Sequence, residues 1–154
     1  MEQYHGSIAR YIIDNSVEGI TAYFGKLPEN FAVPSVFFPV PRTETRKAAL
    51  NHWYRTVFHF ECNFFACDDW NAYKAAVTVR DKMIEDDFWI PVYEEDGTET
   101  KYAFKCGNPT FENLEEGTEN MSFDFENFVD VDPARGKIIE TANITEERKP
   151  DPEG

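Results

Sequence analysis

His52–Phe65 reads HWYRTVFHFECNFF and Met121–Asp132 reads MSFDFENFVDVD. In the first stretch Tyr54, Thr56, Phe58, Phe60, Cys62 and Phe64 fall on one face of an extended chain. Arg55, His59, Glu61 and Asn63 fall on the other, where only Trp53, Val57 and Phe65 interrupt the polar pattern. In the second stretch Met121, Phe123, Phe125, Val129 and Val131 oppose Ser122, Asp124, Glu126, Asp130 and Asp132. A strand buried on both faces would be apolar throughout. The alternation therefore predicts antiparallel strands with one face on a core and the other open to solvent or a partner.

The segments around these strands supply the rest of the layer. Ile8, Ile12, Ile20 and Phe24 share a helical stripe over residues 7–25, widened by Tyr11, Ile13, Val17 and Tyr23, with Gly25 as C-cap and Gly19 as a weak point. Ser35–Val40 (SVFFPV) reads as a short strand that lies at an edge or ends at Pro39. Residues 41–51 (PRTETRKAALN) are locally basic and read as a solvated hairpin loop leading into the long strand. Asp68 or Asp69 suits an N-cap, and Trp70, Tyr73, Val77, Ile84 and Phe88 recur at helical spacing through Trp89.

Pro91 is expected to end that helix. Val92 and Tyr93 then enter a hairpin whose turn is Glu94-Glu95-Asp96-Gly97, returning through Thr98–Cys106 with Thr100, Tyr102, Phe104 and Cys106 on one face. Residues 107–118 read as a loop anchored by Phe111 and Leu114. Lys137–Ile144 is a candidate late strand, and Thr145–Gly154 a solvated tail. The expectation is an α+β fold of order αββαβββ, a mainly antiparallel sheet with two helices packed on one face. Residues 1–132 form its one domain, and residues 133–154 a polar, partly disordered C-terminal arm.

A chain of 154 residues can bury a core without disulfides or a structural metal, and its 14 Phe argue against global disorder. Cys62, Cys67 and Cys106 are odd in number and contain no CxxC pair, which fits a reducing compartment. The start MEQYHGSIARY lacks the pattern of a signal peptide, and no run has the roughly 18 apolar residues of a membrane span. The formal charge of -14 disfavours a nucleic-acid-binding surface, which draws on clustered Lys and Arg.

Catalytic and metal patterns are weak. His59, Cys62 and Cys67 have a suggestive spacing, but His59 and Cys62 are three apart on a strand and point to opposite faces. No glycine-framed nucleophile supports a Cys/His centre, and the glycines form no phosphate-binding loop. The carboxylates Asp124, Glu126, Asp130 and Asp132 lie on an open face rather than in a pocket that would perturb them. No enzyme activity and no cofactor is expected.

The order and texture of these segments resemble the small tail-terminator, or tail-completion, proteins of long-tailed bacteriophages and prophages. The resemblance rests on an N-terminal helix, VPSVFFPVP (Val33–Pro41), HWYRTVFHFEC with its early arginine, DDWNAYKAA (Asp68–Ala76) and MSFDFENF (Met121–Phe128). It spans residues 7 to 131, carries no catalytic motif, and has no counterpart beyond Pro133. It implies a ring, usually hexameric, that ends growth of the tail tube and receives the head connector. Its partners would be itself, the tail tube protein and the head-tail connector protein, with DNA only as passing cargo and no membrane. The protein would be made in the bacterial host cytoplasm and end in the virion tail.

Charge contrast then places Arg42, Arg46 and Lys47 at an inter-ring or inter-subunit contact. Trp53, Arg55, Asp124, Glu126 and Asp130 complete the expected interface. Rival expectations are another head-tail connector or tail-adaptor component, an acidic protein-binding module such as a DNA mimic, and a small α+β domain with a ligand pocket between helices and sheet.

Overall fold

The computed structural model describes residues 2–47, 53–132 and 137–141, with side chains placed for residues 3–45 and 56–125. Two strands organise it. β4 (Trp53–Phe65) and β8 (Thr118–Asp132) pair antiparallel without a register break from Trp53↔Asp130 to Phe65↔Thr118. Their inward residues Phe58, Phe60, Cys62, Phe64, Met121, Phe123 and Phe125 are all buried, as the alternation predicts.

β2 (Ser35–Phe38) and β3 (Arg42–Lys47) both pair with β4, one after the other. β2 follows the register Phe37↔Asn63, whereas β3 follows Arg42↔His59, so one extra residue is accommodated between them at Pro39-Val40-Pro41. Prolines cannot donate to the ladder, and the extra residue inverts the side-chain phase. Val36 and Phe38 consequently face the core, while Arg42 and Glu44 share the outer face with His59 and Val57. The basic segment is thus a strand over 42–47, not the expected hairpin loop; residues 48–52, His52 among them, lie outside the described residues.

β1 (Thr21–Phe24) runs parallel to β2, β7 (Thr110–Glu115) pairs with the first part of β8, and β9 (Lys137–Thr141) with its last part. The main path across the sheet is β1-β2-β4-β8-β7. Both β1 and β7 were expected to be other structure. Residues 21–24 stand at the end of the predicted helix, but α1 (Glu2–Asn15) ends earlier, and Gly19 at φ 77° lets the chain reverse into the strand. Residues 110–115 read as loop because Thr-Phe-Glu-Asn-Leu-Glu does not alternate cleanly; pairing with β8 supplies the order.

The second helix, α2 (Asp69–Glu85), begins as expected, with the Asp68 carboxylate accepting from the Asn71 N–H at 2.8 Å. It stops before Pro91, because Asp87 and Phe88 turn into the left-handed region at φ 52° and 62°. The Phe88 N–H returns to the Met83 carbonyl at 2.7 Å, closing the helix end. Pro91 lies inside β5 (Trp89–Tyr93), which forms a hairpin with β6 (Glu99–Lys105) through the predicted Gly97 turn. Among the described residues β5 pairs with β6 alone, so a residue without an N–H is tolerated there.

α1, α2 and the β5–β6 hairpin all cover the inner face. Their Ile8, Ile12, Ala76, Val79, Met83, Ile90 and Phe104 join the strand phenylalanines in one core. The fold is α+β with two helices on one face of a mainly antiparallel sheet. On the main sheet's far corner the helix layer stops: Thr43 is exposed although its partner Phe58 is fully buried. The polar tail from residue 142 onward lies outside the described residues.

Candidate interaction surfaces

On the outer face the register aligns residues in rows across β3, β4 and β8. Arg42, His59 and Asp124 form one row; Glu44, Val57 and Glu126 occupy the next. The His59 ring is held on both sides, with Nδ1 2.7 Å from Asp124 Oδ1 and Nε2 3.4 Å from Glu44 Oε2. Its side chain is 23% exposed. A general base, or a metal-binding histidine, needs one ring nitrogen directed at its substrate or ion. Here both nitrogens face carboxylates, so the imidazole ties β3 and β8 to β4.

Further along the face, Asn120 Nδ2 donates to Asn63 Oδ1 at 2.8 Å, and the Thr110 and Ser122 hydroxyls lie 3.0 Å apart. A shallow depression of about 350 Å³ is lined by Val40, Arg42, His59, Glu61, Ser122 and Asp124. Within it His59 and Asp124 bond to each other, while Ser122 meets the Thr110 hydroxyl at its border. Cys62 lies fully buried beneath, on the opposite side of the strand from His59, and burial pushes its thiol far above the ordinary value. Among the described residues no group of three His, Cys, Asp or Glu side chains is placed to hold a metal ion. Nor does any described helix have the length and apolarity to cross a membrane.

Of the residues expected at an interface, Arg42 and Asp124 are exposed on this face within one row. Arg46, Lys47, Trp53, Arg55, Glu126 and Asp130 take backbone positions in the same β3–β4–β8 ribbon, Arg46 opposite Arg55 and Trp53 opposite Asp130. Their side chains lie outside the described residues. Two apolar residues expected to be open on this face are not: Val57 and Phe65 are buried, Phe65 under the Phe31 ring at 4.6 Å between centroids.

Among the described residues, large exposed apolar groups also lie elsewhere. Of Trp70, Tyr73, Val77, Ile84 and Phe88, which recur at helical spacing, Trp70, Tyr73 and Ile84 are exposed, Val77 is half-buried and Phe88 packs against the core, while α2 buries Ala72, Ala75, Ala76, Val79 and Met83. Both stripes have helical spacing. Over its first turns α2 meets a sheet face already filled with phenylalanine rings, so the alanine side packs inward there, with Val79 and Met83 following, and the bulky side is left out. Trp70 is 80% exposed and stands edge-on to Tyr73, 6.2 Å between centroids. Of the two expected anchors, Phe111 packs against the core and Leu114 is exposed. It directly follows Asn113, whose amide donates to Asp69 Oδ1 at 3.1 Å, so it belongs to the same end of the molecule as Trp70.

The opposite edge of the sheet has its own exposed apolar group. Phe24 stacks on Phe38 at 5.1 Å, Phe38 meets Phe60 at 6.0 Å, and Phe60 stacks on Phe123 at 5.1 Å. This ladder of rings runs from β8 outward and ends in the open, with Phe24 61% exposed; Val40, also exposed, lines the outer-face depression instead. Sequence patterning gave no sign of it, since Phe24 fitted a helical stripe. No protein-family model matches the chain, and no curated protein is significantly similar to it in sequence.

Proposed function

We propose that this protein is a structural subunit of a long-tailed phage tail, forming a ring on the head-proximal end of the tail tube that stops its growth and receives the head connector. The observation that carries the reading is the division of its surface. Large apolar side chains stand exposed on the flanks of the sheet, while on the outer face the His59 ring is held between Asp124 and Glu44 beside an open, shallow depression. Such a surface suits contact with other chains better than turnover of a small molecule. The α+β layer and the order of its segments support the resemblance to tail terminators, and the ring, its location in the virion and its partners follow from that resemblance.

The test is to add the purified chain to polymerising tail tube protein from the same genome and measure tube lengths by negative-stain microscopy. Shorter tubes bearing an extra disc at one end are expected. Lengths unchanged at stoichiometric amounts would remove the reading.

A second reading draws on the exposed acids Glu44, Glu61, Asp124 and Glu112, which come from four neighbouring strands and share the outer face. An acidic module that occupies the basic groove of a DNA-binding protein would present such a face. It predicts stoichiometric competition with DNA for one basic partner, and no effect on tube length.

A further inference from the structure

α2 is amphipathic on two sides. Ala72, Ala75, Ala76, Val79 and Met83 are buried, yet on the far side Trp70, Tyr73, Val77, Arg80 and Ile84 follow one another at alternating steps of three and four residues. That spacing is the seam along which one helix packs on another. The one polar member, Arg80, is drawn aside: its Nη2 donates to Asp81 Oδ1 at 3.0 Å, and the guanidinium lies 5.8 Å from the centre of the Phe111 ring. Ile84 is 55% exposed, Tyr73 40% and Trp70 more than either, and the edge-on contact of Trp70 with Tyr73 joins those two into one surface. From Trp70 to Ile84 the seam runs about 21 Å at the rise of an α-helix.

Acids frame this seam. Residues 68–87 carry six acids and three bases. Arg80 and Lys82 already face carboxylates of their own helix end, Lys82 Nζ lying 3.5 Å from Asp86 Oδ1, so Lys74 is the one exposed base of the segment. Lys105 reaches Asp87 at 3.4 Å from β6, and the acids still outnumber the bases.

We infer that this face of α2 receives an amphipathic helix of another protein, one with large apolar residues at three-four spacing and an excess of Lys and Arg beside them. The seam selects a helix, because side chains at that spacing fit the gaps between the turns of a second helix. The acidic frame selects a basic one. A second copy of the chain would bring its own excess of acid to the contact, on top of a formal charge of -14 for each molecule, so charge disfavours it as the occupant.

The probe is a synthetic three-heptad peptide with Leu along the seam and Lys on its flanks, labelled with fluorescein and followed by anisotropy against the full chain. It should bind saturably at micromolar concentrations and more weakly as salt is raised. Three changes should each weaken binding at least tenfold: shuffling the peptide, which keeps its charge and breaks its seam; Glu in place of its Lys; and W70S/I84S in the chain. Both substituted side chains are exposed, so circular dichroism and the denaturant midpoint should stay as in the wild type, and I84S alone is the second variant should the pair disturb the fold.

Equal binding of the shuffled peptide would overturn the inference, since charge alone would then account for the contact. So would wild-type affinity in W70S/I84S, or tight binding of the Glu-flanked peptide. Self-association of the wild type that W70S/I84S abolishes would also overturn it, by making a second copy the occupant. A tail role requires no such helix, so the peptide result and the tube-length result are read separately.

Discussion

The three cysteines occupy different environments, and their chemistry should differ accordingly. Cys62 and Cys106 are buried in the core, whereas Cys67 is exposed beside the start of α2. In native protein one thiol, Cys67, should react rapidly with Ellman's reagent, and the other two only on unfolding. Burial also pushes the Cys106 thiol up to about 12 and raises the Cys62 thiol and the Tyr11 hydroxyl far above their ordinary values; Tyr11 additionally donates to Asp86 Oδ2 at 2.7 Å. In the unfolded chain the thiols ionise near 9 and the phenol near 10. The folded state therefore binds more protons above pH 9, and stability falls there by up to roughly 1.4 kcal/mol per pH unit for each group. Denaturant midpoints should be insensitive to these groups below pH 8 and drop steeply between pH 9 and 12, and Y11F should lessen that drop. Gly117 sets a different constraint. Its φ is 76°, and a Cβ there would meet the Ala66 carbonyl oxygen at 2.6 Å, while its N–H is bonded to Asp69 Oδ1 at 2.7 Å. Gly117→Ala should cost about 2 kcal/mol or more in equilibrium unfolding, from the left-handed backbone and the clash together.

At the scale of the element, α2 carries two periodic stripes, and only packing distinguishes them. Ala76 is fully buried against a layer of phenylalanines, whereas Trp70 projects into solvent. Ala76→Leu should destabilise the fold by about 1–3 kcal/mol through overpacking. Trp70→Ser should leave the denaturant midpoint nearly unchanged, and the inequality would reverse if the bulky stripe faced the core. The β2–β3 segment makes a similar point. Its alternation appears broken when read as one strand, because the extra residue at Pro39-Val40-Pro41 shifts the phase. Each half obeys period two, and the shift places Arg42 beside His59 rather than under the helices.

Across the whole molecule, a formal charge of -14 means that neighbouring copies repel unless local contacts are complementary. The β3 cations stand out against that background, with Arg42 exposed. Reversing Arg42, Arg46 and Lys47 together to Glu should weaken assembly, raise its salt requirement and leave the monomer's circular dichroism intact. An unchanged assembly would remove this segment from the interface.

The long central strands were legible from sequence alone, because alternation over Phe58–Phe64 and Met121–Phe125 is a local property of the chain that any one-sided sheet must satisfy. The same holds for the Asp68 cap and the Gly97 turn, where the chemistry lies within three or four residues. The short strands β1, β3 and β7 were not legible, since their order comes from partners distant in the chain. Nor were the surfaces that matter most for contact. Whether Trp70 or Ala76 enters the core depends on the space left by β4 and β8, and whether Phe24 ends a ladder depends on which strand stops beside it. Sequence determined that one face of a sheet would be covered; the volume available beneath the helices decided which side chains did the covering and which were left outside.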